Sequence, residues 1–228
     1  MNNLKIRTMV KTFGKADEFV PFMVLDEDIY RVAWAKTLQE EKDEEGHSAP
    51  SSLCNYMLER YDYKPSMDIV LGDILASGEQ ASLQEIQAIC EGLEEEPLAY
   101  LKRALLAYLG TYDESPAVNS FFIDDRQVSW SSLDPSSPNK SVRMGLRQNI
   151  ADKMTKGEDN ITLWMGGAPI TVSCKMAEAL MCNLEDYAYE CFNVTASHRS
   201  AIAALTTIDA VMAYDYRTGY PEKLKIEL

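Results

Sequence analysis

The sequence predicts an α+β protein in two parts. Residues 1–117 read as an acidic, mainly helical N-terminal domain with a short strand pair, and residues 118–228 as a C-terminal domain of two β-hairpins packed on one long and two shorter helices. Three observations carry this prediction. Apolar residues between 51 and 109 recur at helical spacing behind capping residues. Two short apolar runs between 120 and 173 are each interrupted by a turn-forming dipeptide, Asp124-Asp125 and Gly166-Gly167. An apolar stripe then runs from Met176 to Ile202 in steps of three and four. The two parts meet at Thr111-Tyr112-Asp113-Glu114-Ser115-Pro116, a polar stretch ending in proline. Their charge differs too: residues 1–118 hold 11 basic and 22 acidic side chains, against 11 and 14 in residues 119–228.

At the N-terminus, Leu4 to Val10 alternates apolar and polar residues, the period of a half-buried strand. Phe19–Leu25 is a second strand candidate, which Pro21 consigns to a sheet edge. Asp26 then has the character of an N-cap, and Ile29, Val32, Ala33, Ala35 and Leu38 suit a helix reaching Gln39. The run from Glu40 to Ser48 is the most polar of the chain and reads as a solvated loop, since it lacks the alternating carboxylates and fixed glycine of a calcium loop. Three or four short helices follow. Ser52 precedes Leu53, Cys54, Tyr56, Met57 and Leu58; Ser66 precedes Ile69, Val70, Ile74 and Leu75. Ser82-Leu83-Gln84-Glu85 has the spacing of a capping box, ahead of Ile86, Ile89 and Leu93. Pro97 suits the first turn of a helix carrying Leu98, Leu101, Leu105, Leu106 and Leu109.

In the C-terminal part, Phe121-Phe122-Ile123 and Gln127-Val128-Ser129-Trp130 flank a polar turn, and a serine- and proline-rich loop spans Ser131 to Asn139. A helix over Ser141–Lys156 places Val142, Leu146, Ile150 and Met154 on one face and stops at Gly157. Ile161–Met165 and Pro169–Val172 form the second hairpin around the paired glycines. Ser173 caps the longest helix, whose stripe is Met176, Leu180, Leu184, Tyr187, Cys191, Val194, His198 and Ile202. Thr206 and Thr207 cap a short last helix from Ile208 to Tyr214.

Composition narrows the function classes. The chain of 228 residues is 46% hydrophobic and 25% charged, with 22 Lys+Arg against 36 Asp+Glu, a net charge of −14. That balance, with no basic patch, argues against a nucleic-acid partner. No run approaches the 18 or so apolar residues that a membrane span needs, and no apolar stretch follows the first residues as in a signal peptide. The five cysteines, Cys54, Cys90, Cys174, Cys182 and Cys191, have no C-x-x-C pair and read as reduced thiols of a cytoplasmic protein, mostly core fillers.

The reactive side chains do not assemble into a motif. His47 lies in the acidic run and His198 on the helical stripe, neither with cysteines or carboxylates at ligand spacing, so no metal, cofactor or catalytic residue is expected. Asp124-Asp125 suits a turn better than a carboxylate pair, and Gly166-Gly167 is followed by no phosphate-loop lysine. Trp130 and Trp164, one per hairpin, suit core or interface anchors. Trp164, Tyr187, Cys191 and His198 are the candidate interface: the last three combine apolar bodies with polar tips on one helix, which is either an assembly surface or a stripe clamped inside the fold.

The order of these elements has a counterpart. Phe121–Val128, the helix with Arg143 and Leu146, Ile161–Trp164 with its hairpin to Val172, and Ala179-Leu180, Leu184-Glu185, Tyr187-Ala188, Cys191–Thr195, His198, Ile202 and Leu205-Thr206 together resemble a small domain family of unassigned function. That family occurs at the C-terminal ends of phage and prophage proteins related to tail fibres and their assembly. The resemblance covers about residues 119–228, with Ser131–Asn139 as an insertion, and brings no catalytic signature. It implies a non-enzymatic structural or assembly protein associated with the tail, with other virion or tail proteins or a second copy as partners, made in the bacterial cytoplasm and present in the virion if incorporated. The alternatives are an acidic cytosolic adaptor or chaperone for a larger viral protein, whose charge suits a basic partner, and an enzyme, which the missing site disfavours.

Overall fold

The computed structural model describes residues 9–42, 48–49, 51–129, 140–165 and 168–227. In chain order the elements are β1 (Val10–Lys15), β2 (Phe22–Asp26), β3 (Ile29–Leu38), β4 (Glu41–Lys42), β5 (Ser48–Ala49), β6 (Leu53–Tyr61), α1 (Met67–Ala76), α2 (Leu83–Leu93), α3 (Pro97–Glu114), β7 (Ser120–Ile123), β8 (Arg126–Ser129), α4 (Lys140–Thr155), β9 (Asn160–Met165), β10 (Ala168–Ser173), α5 (Cys174–Ala204), α6 (Ile208–Met212) and β11 (Lys225–Ile226). The class is α+β, as the sequence predicts. Two compact units divide the chain: Met1–Tyr108 with Ile202–Tyr214, and Leu109–Ala201 with Asp215–Leu228. The division falls inside α3 rather than near residue 117, because the polar stretch Thr111–Glu114 continues the helix. Of the two shorter helices assigned to the hairpins, α4 keeps their company and α6 belongs to the first unit.

The first unit corrects the sequence reading in two places. Where a strand pair is expected, it holds a four-stranded antiparallel sheet in the order β1-β6-β3-β2. The helix expected over 26–39 is strand β3. Asp26 does accept an amide at 2.8 Å, but it is that of the adjacent Glu27 rather than one a turn further on, and the chain returns as a hairpin with Asp26 opposite Ile29. The β-branched and aromatic Ile29, Tyr30, Val32, Trp34 and Thr37 favour that outcome. The helix expected behind Ser52 is strand β6, the inner neighbour of both β1 and β3. The amide of Leu53 is held by Ser51 Oγ at 3.0 Å, not by Ser52. Phe22–Asp26 is an edge strand, in keeping with Pro21. Leu4–Thr8 and residues 43–47 lie outside the described residues; β4 pairs with β5 on either side of the latter.

One face of this sheet carries Val32, Trp34, Met57 and Tyr61, all buried. The helices meet it there: Trp34 Nε1 donates to Ser77 Oγ at 3.2 Å, Tyr61 Oη to Asp73 Oδ2 at 2.7 Å, and the ring of Phe22 lies against Gly92 of α2. Met67, Val70, Leu71, Ile74, Ile86, Ile89, Leu101 and Leu105 are buried from the helical side. Each such side chain contributes roughly 1.5–3 kcal/mol. Ser66 occupies the N-cap position of α1 without a side-chain bond; Glu95 Oε1 accepts the Met67 amide at 3.1 Å instead, its other oxygen held by Tyr100 Oη at 2.7 Å. Ser82 and Glu85 form the expected capping box. Thr207 Oγ1 caps α6, and Lys102 Nζ donates to the carbonyls of Ala203 and Leu205 at the C-terminal end of α5, where a cation meets the negative pole of the helix.

The second unit pairs β7 with β8 around Asp124-Asp125, as expected, with Asp124 at φ +49°. It adds β11, which runs parallel to β7 and makes a three-stranded sheet. The helix α4 ends at Gly157, φ +73°, where Glu158 N returns to Lys153 O at 2.9 Å. The hairpin β9–β10 holds Trp164 opposite Pro169; its glycine turn and Trp130 lie outside the described residues. Phe121, Ile123, Val128, Ile150, Ile161, Leu163 and Val172 form one core cluster with Leu180, Met181 and Leu184 of α5.

Candidate functional site

The long helix begins as its sequence requires: Ser173 Oγ accepts the Met176 amide at 3.2 Å. Of its expected stripe, Leu180, Leu184, Tyr187, Cys191 and Ile202 are buried, Val194 and His198 are half-buried, and Met176 is exposed. The stripe therefore faces the fold.

The four candidate interface residues differ in their exposure. Tyr187 and Cys191 belong to the core cluster of the second unit, with the Tyr187 hydroxyl and the Cys191 sulfur hydrogen-bonded to each other. Burial pushes both groups up from their ordinary pKa values, which keeps the thiol protonated and a poor nucleophile. Neither side chain is open to a partner in this conformation, because the four-residue step that joins them also turns both inward. His198 is half-buried; its Nε2 meets the Thr218 carbonyl at 2.9 Å and so carries the proton, and its ring lies 5.9 Å from that of Tyr220. Trp164 is 74% exposed on the outer face of its hairpin.

The exposed aromatic side chains that the stripe missed are on the same helix: Tyr189 at 66% and Phe192 at 59%. They are three residues apart and share an outer face of α5 with Cys182, which is exposed. The signal the sequence carries for them is that both are large and aromatic yet fall outside the stripe, so the helix is apolar on more than one face.

Around His198 a polar cluster fastens the chain end. The buried Thr195 hydroxyl donates to Asp113 Oδ1 at 2.6 Å, leaving Tyr220 Oη, at 2.9 Å, to donate to Thr195. Tyr112 packs edge-on against Tyr216 and Tyr220, with centroids 5.7 and 5.6 Å away. Lys223 Nζ donates to the carbonyls of Pro116, Val118 and Ser120 at 2.9, 3.2 and 3.2 Å, and burial lowers its pKa. These groups hold one another: the buried threonine hydroxyl is shared between Asp113 and Tyr220, and the ammonium is held by three carbonyls. The arrangement is suited to tying segment 215–227 down rather than to activating a nucleophile.

Elsewhere in the unit, Ile123, Asp124, Asp125, Arg126 and Ile170 line an open depression beside the hairpin turn. Among the described residues, no group of three or more His, Cys, Asp or Glu side chains is placed to hold a metal ion, and no helix is long and apolar enough to cross a membrane. Comparison of the chain with protein-family models, with curated proteins and with solved structures finds no match.

Proposed function

We propose that the chain is a non-enzymatic phage or prophage protein, structural or assembly-related and associated with the tail, that works through protein–protein contacts. The observation that carries the reading is the set of bulky aromatic side chains left in solvent beside a well-filled core: Trp164, Tyr189 and Phe192 are each more than half exposed, while fifteen residues of the same unit pack into one buried cluster. Large rings of this kind are enriched where proteins meet. The tail association rests on the resemblance carried by residues 119–228. Particles purified from a lysate that makes this chain test it: the chain co-purifies at a fixed stoichiometry, and Tyr189→Asp with Phe192→Asp abolishes incorporation while the thermal melt holds. A chain absent from particles and dispensable for making them overturns the proposal.

A second reading, an acidic adaptor or chaperone for a larger viral protein, is favoured by the net charge of −14. Its mark is a chain that assembly requires but finished particles lack, with binding to its partner weakening as salt rises.

A further inference from the structure

The sheet of the first unit sets two arginines face to face. In the antiparallel register of β3 with β6, Arg31 lies directly opposite Arg60. Ala33 N donates to Pro21 O at 2.8 Å, so Ala33, and with it Arg31 two residues before, turns its backbone groups toward β2. Toward β6 the Arg31–Arg60 pair is therefore of the non-hydrogen-bonded kind, in which Cα atoms come to about 4.5 Å and side chains approach most closely. Both guanidinium stems rise on the sheet face opposite to Trp34 and Met57. Their row continues to Met23 on β2, and the next row holds Ala33 and Leu58. Arg31 is half-buried and Arg60 exposed.

Like charges in that position repel, and a sheet normally places opposite charges there. Other cations of the unit have partners: Lys11 pairs with Glu79, Lys15 with Glu18, Lys64 with Glu94 and Arg103 with Asp68, while Lys36 donates to the Ala16 carbonyl and lies over the Phe19 ring. Arg31 and Arg60 join no ion pair among the described residues, in a chain with 36 acidic side chains to choose from. Arg31 Nε is moreover shut off from solvent with no hydrogen-bond partner.

We infer that Arg31 and Arg60 form a clamp for a tetrahedral dianion of the phosphate class, free or as a phosphate monoester. Two guanidinium forks present paired N–H donors to the oxygens of one phosphate, and a dianion neutralises both charges where a single carboxylate neutralises one. The bound anion turns the repulsion across β3–β6 into a bridge, held by the terminal guanidinium nitrogens, since Arg31 Nε is shut off from solvent.

The full chain is titrated with inorganic phosphate, O-phosphoserine and acetate at constant ionic strength, beside Arg31→Gln and Arg60→Gln, following the thermal melt and the arginine Nε–Hε resonances. Inorganic phosphate or the monoester raises the melt of the parent protein and moves the Arg31 resonance, and each variant binds roughly tenfold more weakly or worse, the usual cost of losing a charged hydrogen bond. Tighter binding of inorganic phosphate identifies the free ion as the source; tighter binding of phosphoserine identifies a phosphorylated group. In phosphate-free buffer Arg60→Gln melts no lower than the parent, because it removes a repulsion. The clamp is overturned by equal responses in parent and variants, by acetate acting as well as phosphate, by no response to either phosphate, or by Arg60→Gln melting lower in phosphate-free buffer.

Discussion

Glu85, in the first turn of α2, holds the backbone of Ala35 fifty residues earlier: its Oε2 accepts the Ala35 amide at 3.2 Å and its Oε1 the Lys36 amide at 3.0 Å. The same carboxylate closes the capping box by accepting Ser82 N at 2.7 Å. Ala35 and Lys36 are the residues at which the β3–β6 register shifts, so their amides have left the ladder, and a carboxylate only 8% exposed takes them up. One side chain thus fixes both the start of α2 and the bulge of the strand beneath it. Glu85→Ala leaves three part-buried amides without this acceptor; a fully buried donor orphaned costs roughly 1–3 kcal/mol, so the loss here is on the order of 2 kcal/mol in all. Chemical denaturation checks this; a loss below about 1 kcal/mol would show that water replaces the carboxylate.

Ala35 meets this carboxylate with φ at +57°, a left-handed conformation that costs a Cβ-bearing residue roughly 1–2 kcal/mol. Glycine carries no such cost but loses more entropy on folding, by about 0.5–1 kcal/mol. Ala35→Gly is expected to be neutral to stabilising by up to about 1 kcal/mol, and Ala35→Val to be destabilising. A glycine variant that melts well below the parent would place the importance of Ala35 in its methyl contacts instead.

The two ends of this bond differ in how plainly the sequence declares them. Ser82 and Glu85 are a local signal, three residues apart, and the capping box forms as read. The bulge at Ala35 is not local, and it explains why the sequence of β3 suits a helix. Val32, Ala33 and Trp34 are buried in succession, and the bulge then shifts the alternation, so the strand never displays a clean period of two. In β6 the cause is its inner position: Cys54 and Met57 are buried on opposite faces, with Tyr56 and Leu58 between and beyond them half-covered, and a strand covered from both sides reads as a continuous apolar run. On α5 the Ser173 cap forms as expected and Leu180, Leu184, Tyr187, Cys191 and Ile202 of the stripe are buried, but Met176 is exposed and the buried Ala177, Met181 and Thr195 lie outside the stripe. Which face would be left over for a partner was not legible, since that depends on hairpins and a chain end brought in from elsewhere.

Gly92 tests the seam between α2 and the edge strand. A Cβ built there would come within 2.2 Å of Cδ1 and 2.6 Å of Cγ of Phe22. These atoms lie near the root of the ring, so the whole side chain must move. Helix propensity alone favours alanine over glycine by about 1 kcal/mol, yet overpacking costs about 1–3 kcal/mol. Gly92→Ala is therefore expected to lower stability, and Gly92→Ala with Phe22→Leu to recover part of the loss. A stabilised single variant would contradict the close approach.

The cysteines separate by exposure. Cys54, Cys90, Cys174 and Cys191 are buried and Cys182 is exposed. A thiol reagent at pH 8 should label one equivalent quickly in the native protein and five after unfolding, with Cys182→Ser abolishing the fast phase. Burial, with Glu95 adding to it, pushes Cys90 up to about 12. An unfolded cysteine titrates near 8.5. Between these values the native state binds the extra proton, so the stability this thiol contributes is whole below about pH 8.5 and is lost as pH rises toward 12. Cys90→Ala should flatten that alkaline slope; an unchanged slope would assign it to other groups.

Lys223 anchors the last strand. Its ammonium gathers the carbonyls of Pro116, Val118 and Ser120, just ahead of the two residues by which β11 pairs with β7. That pairing is short: Phe122 N to Leu224 O and Asp124 N to Ile226 O, each at 2.8 Å. Two parallel bonds hold a strand weakly on their own, and the lysine joins the same segment to the chain that leads into β7. Lys223→Met keeps the stem that packs and removes the donors, orphaning carbonyls that the amine had satisfied, at roughly 1–3 kcal/mol. The local consequence separates this from a general loss of stability. Amide exchange at Phe122 and Asp124 should quicken by one to two orders of magnitude, as about 1.4 kcal/mol corresponds to tenfold, while amides across β9–β10 keep the parent's rates. Uniform acceleration across both sheets would mean that Lys223 supports the whole unit, and no acceleration at Phe122 and Asp124 would mean that the tyrosine pair and Thr195 hold the chain end without it.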